Sequence, residues 1–440
     1  MGARPELHFA AGNSTSLPHA ATFPSQVFIE KPEKHPSTTF RNPALSNTLP
    51  PWNMPVDLMG KLDDVRVAVV TESFLPQING VTHSVMRVLE HLQREGHDAL
   101  VIAPSHSQGV PKEYVGFPVI TMPSFALPGY ADVRVGTTGQ WRFERIFSNF
   151  QPDVVHLAAP FTIGERAGVA ADRLGLPSVA IYQTEVPSYA ARYGVPQATP
   201  LLWKWIRNIH QLATMTLAPS TYARKQLVDL GVQRVGLWGR GVDSTRFHPD
   251  KRSEEFRAEH APNGERLIGY VGRLATEKQV DDLEVLADLP GTRTVIIGKG
   301  PRREELERIL PHAVFLGQQT GEDLPIALAS CDVFVHPGEL ETFCQSIQEA
   351  LASGVPAVAP ARGGPIDLID PSHTGWLYAP GDLAGMRGFV RDLLGDDRKR
   401  ATFSRRAREA VEHRTWEFMC SQLVDYYEEA IEANNVIRVA

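Results

Sequence analysis

Val65-Arg-Val-Ala-Val-Val-Thr71, followed after a loop by an amphipathic stretch from about Val81 to Arg94 and then by Ala99-Leu-Val-Ile-Ala103, decides the fold. Near-continuous β-branched runs read as strands buried on both faces, and a strand, a helix and a strand in succession read as a parallel βαβ unit. The same alternation continues with strands at Val154–Leu157, Val179–Tyr182, Thr216–Ala218 and Val235–Trp238, and with helices near 162–174, 197–212 and 221–230. It restarts at Leu267–Val271. Strands follow at Thr294–Ile297, Val314–Leu316, Val333–His336 and Ala357–Ala359, with helices near 279–288, 302–310, 321–329 and 343–353. The expected architecture is therefore α/β, two doubly wound Rossmann-like domains (63–245 and 246–414) facing each other across a cleft. The hinge is expected near 240–250, marked by Gly239, Gly241 and Pro249. Ligands of such sheets bind beyond the carboxyl ends of the strands, which makes the cleft the default site.

Composition narrows the class. The 440 residues are 42% hydrophobic and 22% charged, an ordinary globular balance at a length that excludes a single small module. Cys331, Cys344 and Cys420 fit neither CxxC nor CxxH spacing, so no disulfide framework or zinc finger is expected, and a reducing compartment is favoured. Apolar runs fall short of the roughly 20 residues of a spanning helix. Residues 1–62 hold 9 of the 34 prolines and 10 Ser/Thr without periodicity; they read as a disordered leader with no signal-peptide pattern, and Met54 and Met59 offer alternative starts. The net charge of -7 divides unevenly: +1 over residues 1–62, +1 over 63–245 and -9 over 246–440. The acidic half argues against a nucleic-acid partner and leaves the first half free to approach an anionic surface.

The segment Glu341-Thr-Phe-Cys-Gln-Ser-Ile-Gln-Glu349 carries the most chemistry. Glu341 stands just before a helix whose first amides, at Phe343, Cys344 and Gln345, face an anion with the positive end of the dipole. Glu349 follows two turns later, on the order of 12 Å away along the axis. That exceeds the separations of paired glycosidase carboxylates, roughly 5 Å when retaining and 6.5–9.5 Å when inverting. It suits a ligand with hydroxyls at both ends and phosphates between, as in a nucleotide diphosphate sugar; the plain alternative is a dipole-favoured Glu341 and a solvated Glu349. Arg273 and Lys278, five apart in the loop after the strand at 267–271, can clamp two phosphates, or else are surface charges. Gly80, in Pro76-Gln-Ile-Asn-Gly80, would bring backbone and helix amides to a phosphate, or marks a plain turn. Gly298-Lys-Gly300 lacks the third glycine of a dinucleotide fingerprint. No Asp-x-Asp and no His/carboxylate cluster at metal spacing is found, so no metal and no cofactor are expected; Walker A and GxSxG are absent as well.

Taken together, FLPQINGVTHSV, GRGVD (239–243), VGRLATEK, IGKGP, GELETFCQSIQEALASG and ARGGPIDLI resemble the retaining family 4 glycosyltransferases of GT-B fold, over essentially Val65 to Ile431. YQTEVPSYAARYGV and LWGRGVD are most similar to bacterial GDP-mannose-dependent α-mannosyltransferases acting on lipid acceptors, with sulfoquinovosyltransferases as near neighbours. The resemblance implies that Arg273 and Lys278 hold the donor diphosphate, with Gly80 and the amides of Phe343, Cys344 and Gln345. It implies that Glu341 binds the donor sugar, Glu349 the ribose, and that a last helix near Trp416–Ile431, within 415–440, crosses back to the first domain. Arg273, Lys278 and Glu341 are then the catalytic set.

Two departures stand out. Asn79 occupies the place of the first glycine of a Gly-Gly-Val loop, and Gln183-Thr184 stands where many relatives carry His-Thr. A glutamine hydrogen-bonds a sugar but does not titrate, so no catalytic histidine is assigned there. His156, Gln183, Thr184 and Glu185 are the acceptor-side candidates, with His156 also readable as a structural strand-end residue. Leu201-Leu-Trp-Lys-Trp-Ile-Arg-Asn-Ile-His210 mixes Trp, Leu and cations either as an interfacial helix or as a stripe buried in the first domain.

The expected partners are a nucleotide sugar and a lipid or glycolipid acceptor, with no nucleic acid. The expected location is cytoplasmic, extending to peripheral contact with the inner face of the cell membrane. Donors UDP-glucose and UDP-sulfoquinovose remain open, as does a non-catalytic nucleotide-sugar-binding protein. The missing glycine fingerprint argues against an NAD-linked oxidoreductase.

Overall fold

The computed structural model describes residues 64–127, 130–185, 187 and 196–439. The expected leader lies outside these residues, as does most of the stretch from Val186 to Val195.

β1 (Arg66–Thr71) lies inside an eight-stranded sheet. On one side it is followed by β2 (Asp98–Pro104), β4 (Phe117–Met122) and the short β3 (Glu113–Tyr114). On the other come β7 (Val154–Ala158), β8 (Ser178–Ile181), β9 (Met215–Ala218) and β10 (Val235–Leu237). Only the β3–β4 pair is antiparallel. Val67, Ala68, Val69 and Val70 are all buried, which is why β1 is an unbroken apolar run. Chain order reverses between β1 and β7, and a crevice opens at such a switch point. Here it is closed at one edge: Glu72, just past β1, accepts the backbone N–H groups of Phe161, Ile163 and Gly164 at 2.7–2.8 Å, capping α3 (Thr162–Leu174).

The second sheet is wholly parallel, in the order β13 (Val314–Gly317), β12 (Thr292–Ile297), β11 (Arg266–Val271), β14 (Val333–Val335), β15 (Ala357–Pro360), β16 (Gly375–Tyr378). Its switch point falls between β11 and β14. The loops that follow these two strands must therefore meet, and they contain Arg273 to Lys278 and His336 to Glu341.

The helix Trp416–Val439 crosses back onto the first sheet, where Met419, Leu423 and Tyr427 share a core with Val67, Val69 and Trp238. Trp238 Nε1 donates to the Met419 carbonyl at 2.7 Å, and Tyr426 Oη to the Leu237 carbonyl at 2.9 Å.

Several elements differ from the expected pattern. The helix expected at 279–288 is a 3-10 segment, Val280–Leu286, preceded by a second, Thr276–Lys278, because Gln279 between them has φ +50 and breaks the helical register. β3, β4 and the hairpin of β5 (Ser124–Leu127) and β6 (Tyr130–Gly136) have no counterpart in the expected set. β4 alternates unevenly between buried and exposed positions and so lacks a clean period.

Candidate active site

The β11 loop is held by its neighbours before it can present any charge. Gly298 has φ +145, and a Cβ there would lie 1.8 Å from the Gly272 carbonyl oxygen; one on Gly300 would lie 2.2 Å from that of Leu274. The Gly-x-Gly is thus a close backbone approach that seats residues 272–274. From this loop Lys278 Nζ donates to Glu341 Oε1. Both side chains are largely buried, at 17% and 12% exposure. His336 Nε2, at the end of β14, reaches the same carboxylate oxygen at 2.9 Å. Burial alone would raise the Glu341 pKa, but Lys278 and His336 outweigh it and hold the carboxyl at about 2. For His336, burial alone would lower the pKa, and Cys344 and Glu341 reverse this, pushing it up to about 9. Arg273 is exposed, and its carbonyl accepts Tyr270 Oη at 3.2 Å.

The helix after Glu341 runs Gln345–Ala352 with Cys344 at its N-cap, φ +78. This shifts the expected cradle of Phe343, Cys344 and Gln345 by one residue. The first amides are those of Cys344, Gln345 and Ser346. Phe343 precedes the helix, and its side chain packs into the core around Ile347. Glu349 is half-buried rather than solvated, and burial raises it to about 7 against the opposing Gln345 hydrogen bond and the Arg246 and Arg240 charges.

The first domain contributes differently from expectation. Gly80 opens α1 (Gly80–Arg94), but Asn79 caps that helix: its Oδ1 accepts the N–H groups of Val81 and Thr82 at 3.0 Å each. Two of the amides expected to face a phosphate are therefore already used. Gly80 lies against the Arg240 guanidinium: a Cβ there would be 2.6 Å from Nη1, so a larger residue would require the Arg240 side chain to shift. Arg240 Nη2 donates to Gln183 Oε1 at 2.8 Å, and Thr342 Oγ1 donates to the Gln183 carbonyl at 2.9 Å. Gln348 Nε2 and Gln345 Nε2 hold the carbonyls of Arg240 and Gly241 at 2.9 and 3.0 Å.

Two acceptor-side candidates have partners within the first domain and the crossover helix. His156 lies within β7 at 1% exposure and pairs through Nδ1 with Tyr427 Oη, so it packs the crossover helix; burial lowers its pKa to about 3. Glu185 is buried and accepts from Gln226 Nε2 at 3.0 Å. Thr184 is half-buried beside Gln183.

His336 and Arg240 are the residues of this site that sequence reading did not assign. His336 gives no local signal, being one histidine at a strand end; Arg240 lies inside the quoted GRGVD. The expectation that no His/carboxylate cluster exists is also corrected: ligand atoms of His336, Glu341 and Cys344 lie within 4.8 Å of one another. The set does not suit a resident divalent ion, because Lys278 already matches the carboxylate charge and would repel the cation.

The family model for Glycosyltransferase Family 4 matches residues 78–246, and that for Glycosyl transferases group 1 matches residues 251–410. The GDP-mannose-dependent alpha-mannosyltransferase of Mycobacterium tuberculosis is 46% identical over 367 residues, covering 83% of this chain and 96% of that protein. The sulfoquinovosyl transferase SQD2 of Arabidopsis thaliana is 35% identical over 364 residues, covering 80% of this chain and 71% of that protein. Among solved structures, sucrose-phosphate synthase from Thermosynechococcus elongatus superposes with a TM-score of 0.69 at 19% identity, covering 84% of this chain and all of that one. The two family models over both halves and the 46% identity make this a glycosyltransferase, and its two Rossmann-like sheets give it the GT-B fold. The chain belongs to glycosyltransferase family 4.

Proposed function

We propose that the enzyme transfers an α-mannosyl group from GDP-mannose, with retention, to a hydroxyl of a lipid-linked or glycolipid acceptor. The meeting of Lys278, Glu341 and His336 at the second switch point carries this reading, supported by the 46% identity to a GDP-mannose-dependent alpha-mannosyltransferase. Glu341, held ionised, accepts hydroxyls of the donor sugar. Lys278 and Arg273 oppose the charge that develops on the leaving diphosphate, the work a metal does elsewhere. The Cys344, Gln345 and Ser346 amides add the helix end, and Glu349 takes the ribose. The bond from C1 to the phosphate oxygen breaks and one from C1 to the acceptor oxygen forms on the same face. The acceptor proton passes to the departing diphosphate, so no enzyme nucleophile is needed.

The acceptor reading rests on the helix Thr199–Leu212. Ile206, Ile209 and His210 are buried, while Leu201 is 72% exposed beside exposed Lys204 and Arg207. An apolar side chain among cations suits the anionic inner face of a membrane, where the enzyme would act peripherally. No helix among the described residues is long and apolar enough to cross one. Product formation from GDP-mannose, UDP-glucose and UDP-sulfoquinovose with diacylglycerol-type and glycolipid acceptors tests the proposal. Turnover with GDP-mannose alone is expected, and turnover only with a UDP-sugar would overturn the donor assignment.

A further inference from the structure

Ligands of a parallel sheet bind by default at the carboxyl ends of its strands, where the site above lies. The second domain also has a cavity of about 260 Å³ at the opposite, amino ends of β11, β14 and β15, roughly 20 Å away along a six-residue strand. Arg266 and Asp332 line it from those strand ends, Arg400 and Ser404 from the helix Asp397–Val411, Ser353 from the turn after the helix Gln345–Ala352, and Arg252 from the chain that leaves the hinge. Four guanidiniums share two carboxylates here. Asp332 takes Arg252 and Arg257 at 3.3 and 3.0 Å, and Asp397 takes Arg266 and Arg400 at 2.8 and 2.7 Å. Positive charge is left in excess, since Glu254, 3.9 Å from Arg252 Nε, is 86% exposed and screened by water. Donors are left over as well. Among the described residues the Nε groups of Arg266 and Arg400 carry no hydrogen bond, and Ser353 Oγ, on a residue 2% exposed, is buried without a partner. A buried hydroxyl left unpaired is costly, and a ligand oxygen relieves it.

We propose that this cavity is a second ligand site, separate from the donor site, for a small phosphate monoester of sugar-phosphate size. The phosphate, with close to two negative charges at neutral pH, is met by the guanidiniums of Arg266 and Arg400. The hydroxyls of the ligand are met by Ser353, Ser404 and the remaining lone pairs of the two carboxylates. The volume falls just below the roughly 300–1,000 Å³ of pockets for drug-sized ligands, which leaves out a whole nucleotide sugar. The inference does not depend on which nucleotide the donor carries.

The test uses the full chain with GDP and UDP both in excess, so that the donor site is filled, and titrates mannose 6-phosphate by calorimetry. Saturable binding is expected with a Kd below about 1 mM, with none for mannose and a weaker response to inorganic phosphate, which lacks the hydroxyls. Arg400→Met is expected to weaken binding about tenfold or more, the scale of a lost charge-assisted hydrogen bond. Ser404→Phe, which fills the cavity and keeps every ion pair, is expected to abolish it. Neither residue belongs to the donor site, so both variants should bind the nucleotide as the wild type does. No saturable heat up to about 10 mM mannose 6-phosphate, equal binding of mannose, or wild-type affinity in either variant would overturn the proposal. Equal affinity for inorganic phosphate would overturn the sugar-phosphate assignment. Should Arg400→Met fail to fold in a thermal melt, Ser404→Phe decides.

Discussion

Lys278 and Glu341, 63 residues apart in sequence, form an ion pair where the loops after β11 and β14 converge. Breaking a largely buried pair costs more than losing one hydrogen bond, because the remaining charge stays desolvated. Lys278→Ala and Glu341→Ala are each expected to reduce transfer by about 100-fold or more, the scale of removing a group that stabilises developing charge. Both variants should still fold, with a lowered Tm, since each domain keeps its own core. In a double-mutant cycle the paired variant should lose less stability than the sum of the singles. Near-normal transfer by either single variant in a steady-state assay would remove these residues from the catalytic set.

His336 gives the stability a pH limb. Its folded pKa, about 9, stands above the ordinary 6.5, so its contribution is fully present below about 6.5 and is lost as pH rises through 9. Thermal melts of the wild type should therefore show Tm falling between pH 6.5 and 9. His336→Gln, which keeps a hydrogen bond to Glu341 without the charge, should flatten that limb. A parallel fall in both proteins would place its cause elsewhere.

Glu349 predicts a pH dependence of binding with the opposite sense. At a pKa near 7 it becomes ionised as pH rises, and only the carboxylate accepts from two ribose hydroxyls at once. KM for GDP-mannose, whose diphosphate has no titration in this range, should fall about tenfold from pH 6 to pH 8, one pKa unit either side of the group. Glu349→Gln should have a flat profile at the weaker level. A wild-type KM that is constant over the interval would show that Glu349 does not meet the ribose.

How much of this was legible depended on the range over which each signal acts. β1 and β11 were readable because burial on both faces leaves unbroken Val, Ile and Leu runs, and Glu341 and Lys278, which the structure brings together, stood out because each lies in a motif only a few residues long. His336 was not, since its role comes from β14 lying beside β11, a matter of strand order and not of local spacing. Arg240 escaped assignment for the same reason: Gln183 is 57 residues away, and Gly80 belongs to the first helix. His156 carried two readings, a site residue and a structural strand residue, and sequence could not choose between them because Tyr427, on the crossover helix that covers it, lies 271 residues later.

The expectation that transfer needs no metal is testable through the same cluster. Because Lys278 shares the Glu341 carboxylate, a divalent ion would enter against an ammonium group already in contact with its ligand. Transfer by enzyme treated with excess chelator should stay within about twofold of the untreated rate, less than the tenfold that corresponds to 1.36 kcal/mol. A larger loss, restored by adding Mg2+ or Mn2+, would show that a metal supplies charge here that Arg273 and Lys278 do not.

Peripheral membrane contact rests on Leu201, Lys204 and Arg207, which lie on the exposed side of a helix whose Ile206 and Ile209 are buried. One Leu and two cations supply a modest attraction, on the order of 1 kcal/mol for each cation near an anionic surface, and salt should weaken it. Sedimentation with vesicles containing anionic lipid should therefore pull down the wild type at low ionic strength and much less at high. Lys204→Glu with Arg207→Glu should abolish binding to these vesicles while leaving the Tm unchanged, because neither side chain supports the core. Transfer to a water-soluble acceptor analogue should persist in this variant while transfer to vesicle-embedded acceptor falls. Equal rates on both acceptors would show that the helix face does not deliver the enzyme to its lipid.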